Sequence, residues 1–126
     1  MFNKIHHIVI AVADLDAASL LYGKTFGLKA QAQVDVPAEG LRRVRFDVGN
    51  AFVDIAQPTT DTGELGKFVK DKGEGIYLIS VQVDDLAKTV KELRAKGAEV
   101  IGEAVRGGRV LVSPKTTHGA LMELME

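Results

Sequence analysis

The sequence predicts an α+β fold of two tandem β-α-β-β-β modules, whose curled mixed or antiparallel sheets surround a cleft and carry the helices outside. Strand-like and helix-like segments follow this order twice along the chain. The strand-to-helix junction Val12–Leu15 recurs as Val83–Leu86, 71 positions later (83 − 12), and both helices then end at a glycine, Gly27 and Gly97. One module of about 60 residues would be marginally stable alone, so pairing two modules buries both.

The first module begins with a β-branched run of strand length, Ile5–Ala13. Asp14 is a suitable N-cap for the helix that follows, and apolar residues recur at helical spacing until Gly27. The remaining strands and turns are predicted at Ala30–Val36, Pro37–Gly40 (turn), Leu41–Val48, Gly49–Asn50 (turn) and Ala51–Ala56.

A linker, Pro58–Gly63, and a short helix, Glu64–Lys72, precede the second module. That module opens with the strand Gly75–Val83 and a helix capped by Asp85. Its later strands are predicted at Glu99–Ile101, Arg109–Val112 and Ala120–Leu124. We therefore predict a single domain over residues 1–126, with module 1 at about 3–58, the linker and short helix at 59–73, and module 2 at about 74–126.

Composition excludes several classes of function. The chain has 16 Lys and Arg against 17 Asp and Glu, and this balance gives no support to nucleic-acid binding or to a role at a membrane surface. It has no cysteine, which excludes disulfides, thiolate zinc sites and cysteine nucleophiles. Because no signal peptide and no membrane-spanning run is apparent, we expect a cytoplasmic protein with neither nucleic acid nor membrane as partner.

Polar residues occur at isolated positions on otherwise apolar strands. Alternate side chains of a strand share a face, so each strand has one apolar face suited to a helix and one face with single polar groups. A sheet curled around a cleft would bring these second faces together. The residues expected to converge there are His7, Arg43, Arg45, Asp54, Ser80, Gln82 and Glu123.

Structural explanations exist for several of these residues. A sheet face open to water accounts equally for the two arginines and for Asp47, and His7 alone is as well explained by a structural role. Asp54 and Glu123 differ, because a carboxylate within an apolar strand is rarely buried without a partner. His118, in the turn before the last strand, lies either at the mouth of the cleft or at the surface.

Several segments of the chain together resemble one known family. They are IHHIVIAVADLDAA, the PAEG turn, VDIAQP, GEGI followed by VQVDDL, LRAKGAEVIGE and SPKTTHGALMELME. In order and spacing they resemble the methylmalonyl-CoA epimerase-like branch of the vicinal-oxygen-chelate (glyoxalase/bleomycin-resistance/dioxygenase) superfamily. The likeness covers nearly the whole chain, and it implies the two-module fold and a homodimer.

The resemblance also implies a divalent metal held by four strand residues. Their counterparts here are His7, Asp54 (four positions before Pro58), Leu78 and Glu123. Leu78 is no ligand, and the repeat agrees, since its offset of 71 takes His7 to position 78. The remaining His7, Asp54 and Glu123 could hold Mn²⁺, Mg²⁺, Co²⁺, Fe²⁺, Ni²⁺ or Zn²⁺ with weakened affinity.

The family's proton-abstracting carboxylate falls at Arg43, which cannot act as a base near neutral pH. Glu123 matches the family carboxylate that serves both the metal and the proton transfer, and it is therefore the predicted catalytic residue. Guanidinium groups suit carboxylate or phosphate recognition. The predicted substrate-binding residues are Arg43, Arg45, Ser80 and Gln82.

Three functions are compatible with these residues. The first is a divergent metal-dependent isomerase or lyase, similar to glyoxalases and methylmalonyl-CoA epimerases, that acts on a small anionic acid or acyl thioester. The second is a metal-free small-molecule-binding protein of the drug-sequestering kind in the same superfamily. The third is a partner-binding or regulatory module without a small ligand. Metal binding by the purified protein separates the first two.

Overall fold

The computed structural model describes all residues from Met1 to Glu126. Its strands and helices confirm the predicted α+β class and the repeated β-α-β-β-β order. None of the helices combines the length and the apolar character that a membrane-spanning helix needs. In chain order they are β1 (Phe2–Ala11), α1 (Leu15–Leu20), a π-helical turn (Leu21–Thr25), β2 (Lys29–Ala30), β3 (Val34–Val36), a 3-10 turn (Pro37–Glu39), β4 (Leu41–Asp47), β5 (Phe52–Pro58), α2 (Glu64–Lys72), β6 (Gly75–Val83), α3 (Leu86–Ala95), β7 (Val100–Ile101), β8 (Arg109–Val112), α4 (Pro114–Thr117) and β9 (Met122–Met125).

Two segments differ in kind from their predictions, and the bounds of several strands move by one to three residues, as in β1 (predicted Ile5–Ala13) and β5 (predicted Ala51–Ala56). The single strand predicted at Ala30–Val36 is divided into β2 and β3, because the pairing with β4 shifts by one residue between Ala30↔Phe46 and Val34↔Arg43. The short helix α4 was not predicted as a helix, although Ser113 caps it and Pro114 occupies its first turn.

The chain forms two compact units, which we call the first unit (His7–Tyr77) and the second unit (Met1–His6 with Leu78–Glu126). In the first unit the strand order is β2-β4-β5-β1, with β3 also paired to β4. In the second unit it is β6-β9-β8-β7. The pairs β1/β5 and β6/β9 are parallel and the remaining pairs within the units are antiparallel, so the same pairing pattern occurs twice.

The sheet of the first unit is covered on both faces. On one face α1 and the π-helical turn pack on the apolar face that the alternation predicted, with a core of Val12, Leu15, Val44, Phe46 and Ile55. On the other face Leu65 of α2 packs on Ala11 and Ala56. The face expected to line a cleft is therefore partly covered by α2, and its polar residues lie beyond that covered end.

The second unit buries one face of its sheet against α3. Its core consists of Val81, Val83, Leu86, Val90, Val100, Val110, Val112 and Leu124. Leu86 and Val90 belong to α3, whereas Val81 and Val83 on β6 and Val110 and Val112 on β8 occupy alternate strand positions, as the period of two requires. The opposite face therefore carries the residues that fall between them, including Ser80 and Glu123.

The helices α1 and α3, which occupy equivalent places in the two repeats, begin with the same pattern of hydrogen bonds. The N-cap carboxylates Asp14 and Asp85 accept from the backbone N–H three positions later, at 3.1 and 3.0 Å. The first helical N–H of each helix, which lacks a partner within the helix, donates to a side chain from the end of a strand. The distances are 2.8 Å from Leu15 N to Gln57 Oε1 and 3.3 Å from Leu86 N to Glu126 Oε2.

His118 is an exposed residue at the C-cap of α4, where its backbone has φ 65° and lies in the left-handed region. Glycine adopts this conformation without the steric cost that a Cβ imposes. We expect His118→Gly to raise the free energy of unfolding by up to about 1 kcal/mol, measured by urea denaturation. The control Lys115→Gly, inside α4, should lower it, and a loss of stability in both variants would contradict the expectation.

Candidate functional site

The β4–β5 hairpin determines which polar residues meet in the first unit. A two-residue turn at Gly49–Asn50 joins the strands, and Val48 N donates to Ala51 O at 3.0 Å. This register places Arg45 directly opposite Asp54. Directly opposed residues of an antiparallel pair have neighbouring side chains, so the two charged groups lie side by side on one face.

Asp54 and Arg45 form a two-pronged ion pair. Arg45 Nε donates to Oδ1 of Asp54 at 2.6 Å, and Nη2 donates to Oδ2 at 2.8 Å. Asp54 is only 2% exposed, and the side chain of Arg45 is 19% exposed. The guanidinium also lies over the ring of Phe52, at 5.1 Å from its centroid. Parallel N–H···O bonds of this kind are among the strongest and most directional that side chains make.

His7 approaches the same carboxylate from β1, the other neighbour of β5. Its Nε2 lies 3.8 Å from Oδ2 of Asp54, which is longer than a hydrogen bond, and the residue is 5% exposed. The structure therefore brings together three of the predicted site residues, His7, Arg45 and Asp54, inside the first unit.

Arg43 differs from Arg45 in its electrostatic surroundings. It lies two positions earlier on the same face of β4, opposite Ala56 on one side and Val34 on the other. It is half-buried, yet no carboxylate forms an ion pair with its guanidinium. One arginine is thus neutralised within the protein, and the other keeps its charge available for an anion.

Glu123 is the buried carboxylate of the second unit. The parallel pairing of β6 and β9 places it opposite Ser80, whose Oγ donates to Glu123 Oε1 at 2.7 Å. Glu123 is 5% exposed and Ser80 is fully buried. Arg109 Nη1 lies 3.5 Å from Oε2, but its side chain is 60% exposed, which makes this contact weak.

Arg109 was not among the predicted site residues. It alternates with Val110 and Val112, which are buried in the core, so the period of two already placed its side chain on the same face as Glu123. The missing information was the register of β8 on β9, which pairs Leu111 with Glu123 and leaves Arg109 as a diagonal neighbour.

Leu78 and Gln82 share the face of β6 that carries Ser80. Leu78 is buried, with 7% exposure, and Gln82 is half-buried. Leu78 occupies the position that the sequence repeat assigns to His7. No hydrogen bond of the Gln82 side chain connects it to Glu123 or to Ser80.

Asp54 and Glu123 occupy equivalent places in the two repeats. Asp54 pairs with Val9 in the parallel ladder, and Glu123 pairs with Ser80, 71 positions after Val9 (80 − 9). Their side-chain contacts differ, because Asp54 accepts two short hydrogen bonds from a guanidinium, whereas Glu123 accepts a 2.7 Å bond from a hydroxyl group and a longer, 3.5 Å contact from the exposed Arg109.

The donors of the first unit do not fit a divalent metal ion. Both oxygens of Asp54 already accept from Arg45, and no three His, Cys, Asp or Glu side chains of the chain are grouped to hold a metal. A divalent ion about 4 Å from a guanidinium would be repelled by roughly 8 kcal/mol at an effective dielectric constant of 20. A divalent ion could therefore bind Asp54 only if Arg45 moved away.

A surface recess of about 420 Å³ lies elsewhere in the first unit. Residues 58–61 and the α2 residues Gly66, Val69 and Lys70 line it. None of the predicted site residues contributes to this recess. Each unit instead has a candidate site at its own buried carboxylate, Asp54 with its partners in the first unit and Glu123 with its partners in the second.

Comparisons with known proteins agree over almost the whole length of the chain. The sequence model described as the Glyoxalase/Bleomycin resistance protein/Dioxygenase superfamily matches residues 6–112. The ethylmalonyl-CoA/methylmalonyl-CoA epimerase of Cereibacter sphaeroides is 30% identical over 131 residues, which cover 98% of each chain.

Solved structures give the same result. Methylmalonyl-CoA epimerase from Mycobacterium tuberculosis matches with a TM-score of 0.90 and 28% identity, covering 99% of this chain and 88% of the other. A variant of the Streptomyces coelicolor methylmalonyl-CoA epimerase, in complex with 2-nitronate-propionyl-CoA, matches with a TM-score of 0.88 and 27% identity, covering 98% and 96%.

Proposed function

Because the chain belongs to the glyoxalase/bleomycin resistance protein/dioxygenase superfamily, we propose that it is a divergent epimerase-like enzyme. Its substrate would be a small anionic acid or an acyl thioester, and its reaction an isomerisation or elimination that begins at the carbon beside a carbonyl group. The similarity to methylmalonyl-CoA epimerases supports this choice. The observation that carries it is the buried pair of Glu123 and Ser80, a carboxylate withdrawn from water and fixed by a neutral donor.

Glu123 is the proposed proton-transfer residue. Its carboxylate would accept a proton from the α-carbon of the substrate, while the electron pair of the broken C–H bond moves onto the neighbouring carbonyl as an enolate. The protonated carboxyl group would exchange its proton with solvent and then return a proton to the α-carbon, which restores both the C–H bond and the carboxylate. Ser80 would keep the carboxylate in one orientation through the 2.7 Å hydrogen bond to Oε1.

Arg43 is the proposed binding group for the anionic end of the substrate. Its guanidinium has no ion-pair partner in the protein and can form two parallel hydrogen bonds to a carboxylate or phosphate. Arg45 has a smaller proposed role in binding, because Asp54 already engages two of its N–H groups. Gln82 and Ser80 complete the proposed substrate-binding set.

A weakened metal site is the remaining part of this proposal, with His7, Asp54 and Glu123 as the ligands. The ion pair between Arg45 and Asp54 argues against it. No step of the proposed reaction is therefore assigned to a metal ion.

Proton exchange in deuterated buffer tests the proposed function directly. We expect the purified protein to replace the α-proton of methylmalonyl-CoA or ethylmalonyl-CoA by deuterium, followed by proton NMR. Glu123→Gln should slow this exchange by about 10²–10⁴-fold, the usual contribution of a general base. The control Glu103→Gln removes an exposed carboxylate and should exchange at the wild-type rate. An unchanged rate in Glu123→Gln would refute the role of this residue.

The second candidate function is a metal-free small-molecule-binding protein of the same superfamily. The neutralised Asp54 and the apolar Leu78 favour it, since neither contributes to a metal site. Binding of acyl-CoA without any α-proton exchange would support this alternative over the enzyme. For either function we propose a cytoplasmic homodimer, and sedimentation as a monomer would contradict the dimer.

A further inference from the structure

In the first unit, Asp54 already has a positively charged partner within the protein, the guanidinium group of Arg45. Asp54 is 2% exposed, and its two oxygens lie 2.6 and 2.8 Å from two different nitrogens of Arg45. Each oxygen therefore already accepts a charge-assisted hydrogen bond, and a metal ion at either oxygen would lie close to the positive guanidinium. His7 Nε2, at 3.8 Å from Oδ2, is the other potential ligand beside it.

Arg45 is fixed in this position from more than one side. The ring of Phe52 lies beneath the guanidinium at 5.1 Å, and only 19% of the Arg45 side chain is exposed. Moving the guanidinium aside would break two charge-assisted hydrogen bonds and leave a buried carboxylate without them. A metal ion could therefore bind Asp54 only by displacing the guanidinium group and breaking these two hydrogen bonds.

We propose that Arg45 is the resident cation of the His7–Asp54 pair and excludes divalent metal ions from it. The singly charged guanidinium group occupies the position beside the two oxygens of Asp54 that a metal ion would need. This inference concerns the selectivity of the pair, and it holds whether the chain is the proposed enzyme or a binding protein. It makes Arg45 the residue that determines whether this face carries a metal.

Metal titration of purified variants tests the inference. Wild-type protein freed of metal by chelation should show neither the absorbance of bound Co²⁺ nor a shift of the thermal midpoint with Mn²⁺. Arg45→Gln should bind Co²⁺ at least about tenfold more tightly than wild type, within the 10- to 100-fold range in which groups around metal ligands change affinity. Adding His7→Ala to Arg45→Gln should remove the gain.

Arg42→Gln is the matched control, because Arg42 is exposed on the same strand and points to the opposite face. It should behave as wild type does. If Arg45→Gln folds only when Mn²⁺ is present, that rescue supports the inference as well. Arg45→Lys keeps one positive charge but loses the fork, and we expect it to show a smaller gain.

Two results would overturn the inference. The first is one equivalent of Co²⁺ bound to wild type and lost in Asp54→Asn. The second is no gain of metal binding in either Arg45→Gln or Arg45→Lys. The absence of acyl-CoA turnover has no bearing on these titrations, so a failure of the proposed function remains distinguishable from a failure of this inference.

Discussion

Replacing Asp54 by Ala is expected to lower the free energy of unfolding by about 3–5 kcal/mol, the usual loss when one partner of a buried ion pair is removed. The variant deprives the Arg45 guanidinium of the two short hydrogen bonds that hold it, although 81% of that side chain stays out of water (100 − 19). Urea denaturation followed by circular dichroism measures the loss.

The double variant Asp54→Ala with Arg45→Leu should lose less stability than Asp54→Ala alone, because it removes both charges from the buried face. Asp71→Ala, which changes an exposed carboxylate on α2, is the control and should differ from wild type by no more than about 0.5 kcal/mol. If Asp54→Ala were as mild as this control, the ion pair would not be formed in solution.

Gly66→Ala should destabilise the protein by about 2–3 kcal/mol, although alanine usually stabilises a helix relative to glycine. Gly66 lies within α2, and a Cβ atom built on it would stand 2.1 Å from the backbone oxygen of Thr60. The clash involves backbone and cannot be relieved by turning a side chain. Moving α2 away would also loosen Leu65 from Ala11 and Ala56.

Gly23→Ala is the matched control for Gly66→Ala, because it makes the same change in another helical segment. Its Cβ would meet Phe46 Cε1 at 3.7 Å, an ordinary van der Waals contact. We expect this variant to gain roughly 0.5–1 kcal/mol in thermal or urea denaturation. Equal gains in the two glycine variants would show that α2 is not packed against the linker.

The helices and strands whose ends are marked by glycine or by a turn were predictable from the sequence. Glu64–Lys72, Gly75–Val83 and Arg109–Val112 have the predicted bounds, since glycine or a turn lies at or beside at least one end of each. The predicted strand Ala30–Val36 failed because an added residue shifts its pairing with β4, and a shift of this kind depends on tertiary contacts.

The alternation of side chains predicted which residues share a face, but it did not predict their partners. Arg45 was expected to recognise a substrate and Asp54 to bind a metal, whereas the structure joins them to each other. The sequence does contain a signal for this pairing, the two-residue turn Gly49–Asn50. A turn of this length fixes the register of β4 and β5 so that the residue numbers of each pair sum to 99, as those of Arg45 and Asp54 do. The bond between Ser80 and Glu123 depends on a parallel pairing across 43 positions, and no local pattern specifies that register.

The equivalence of Asp54 and Glu123 has a consequence for protein redesign. The strands around the two carboxylates pair in the same way, so the contrast between them is due to side chains alone. Directed evolution can therefore change the partner of either carboxylate without rebuilding the strands that carry it.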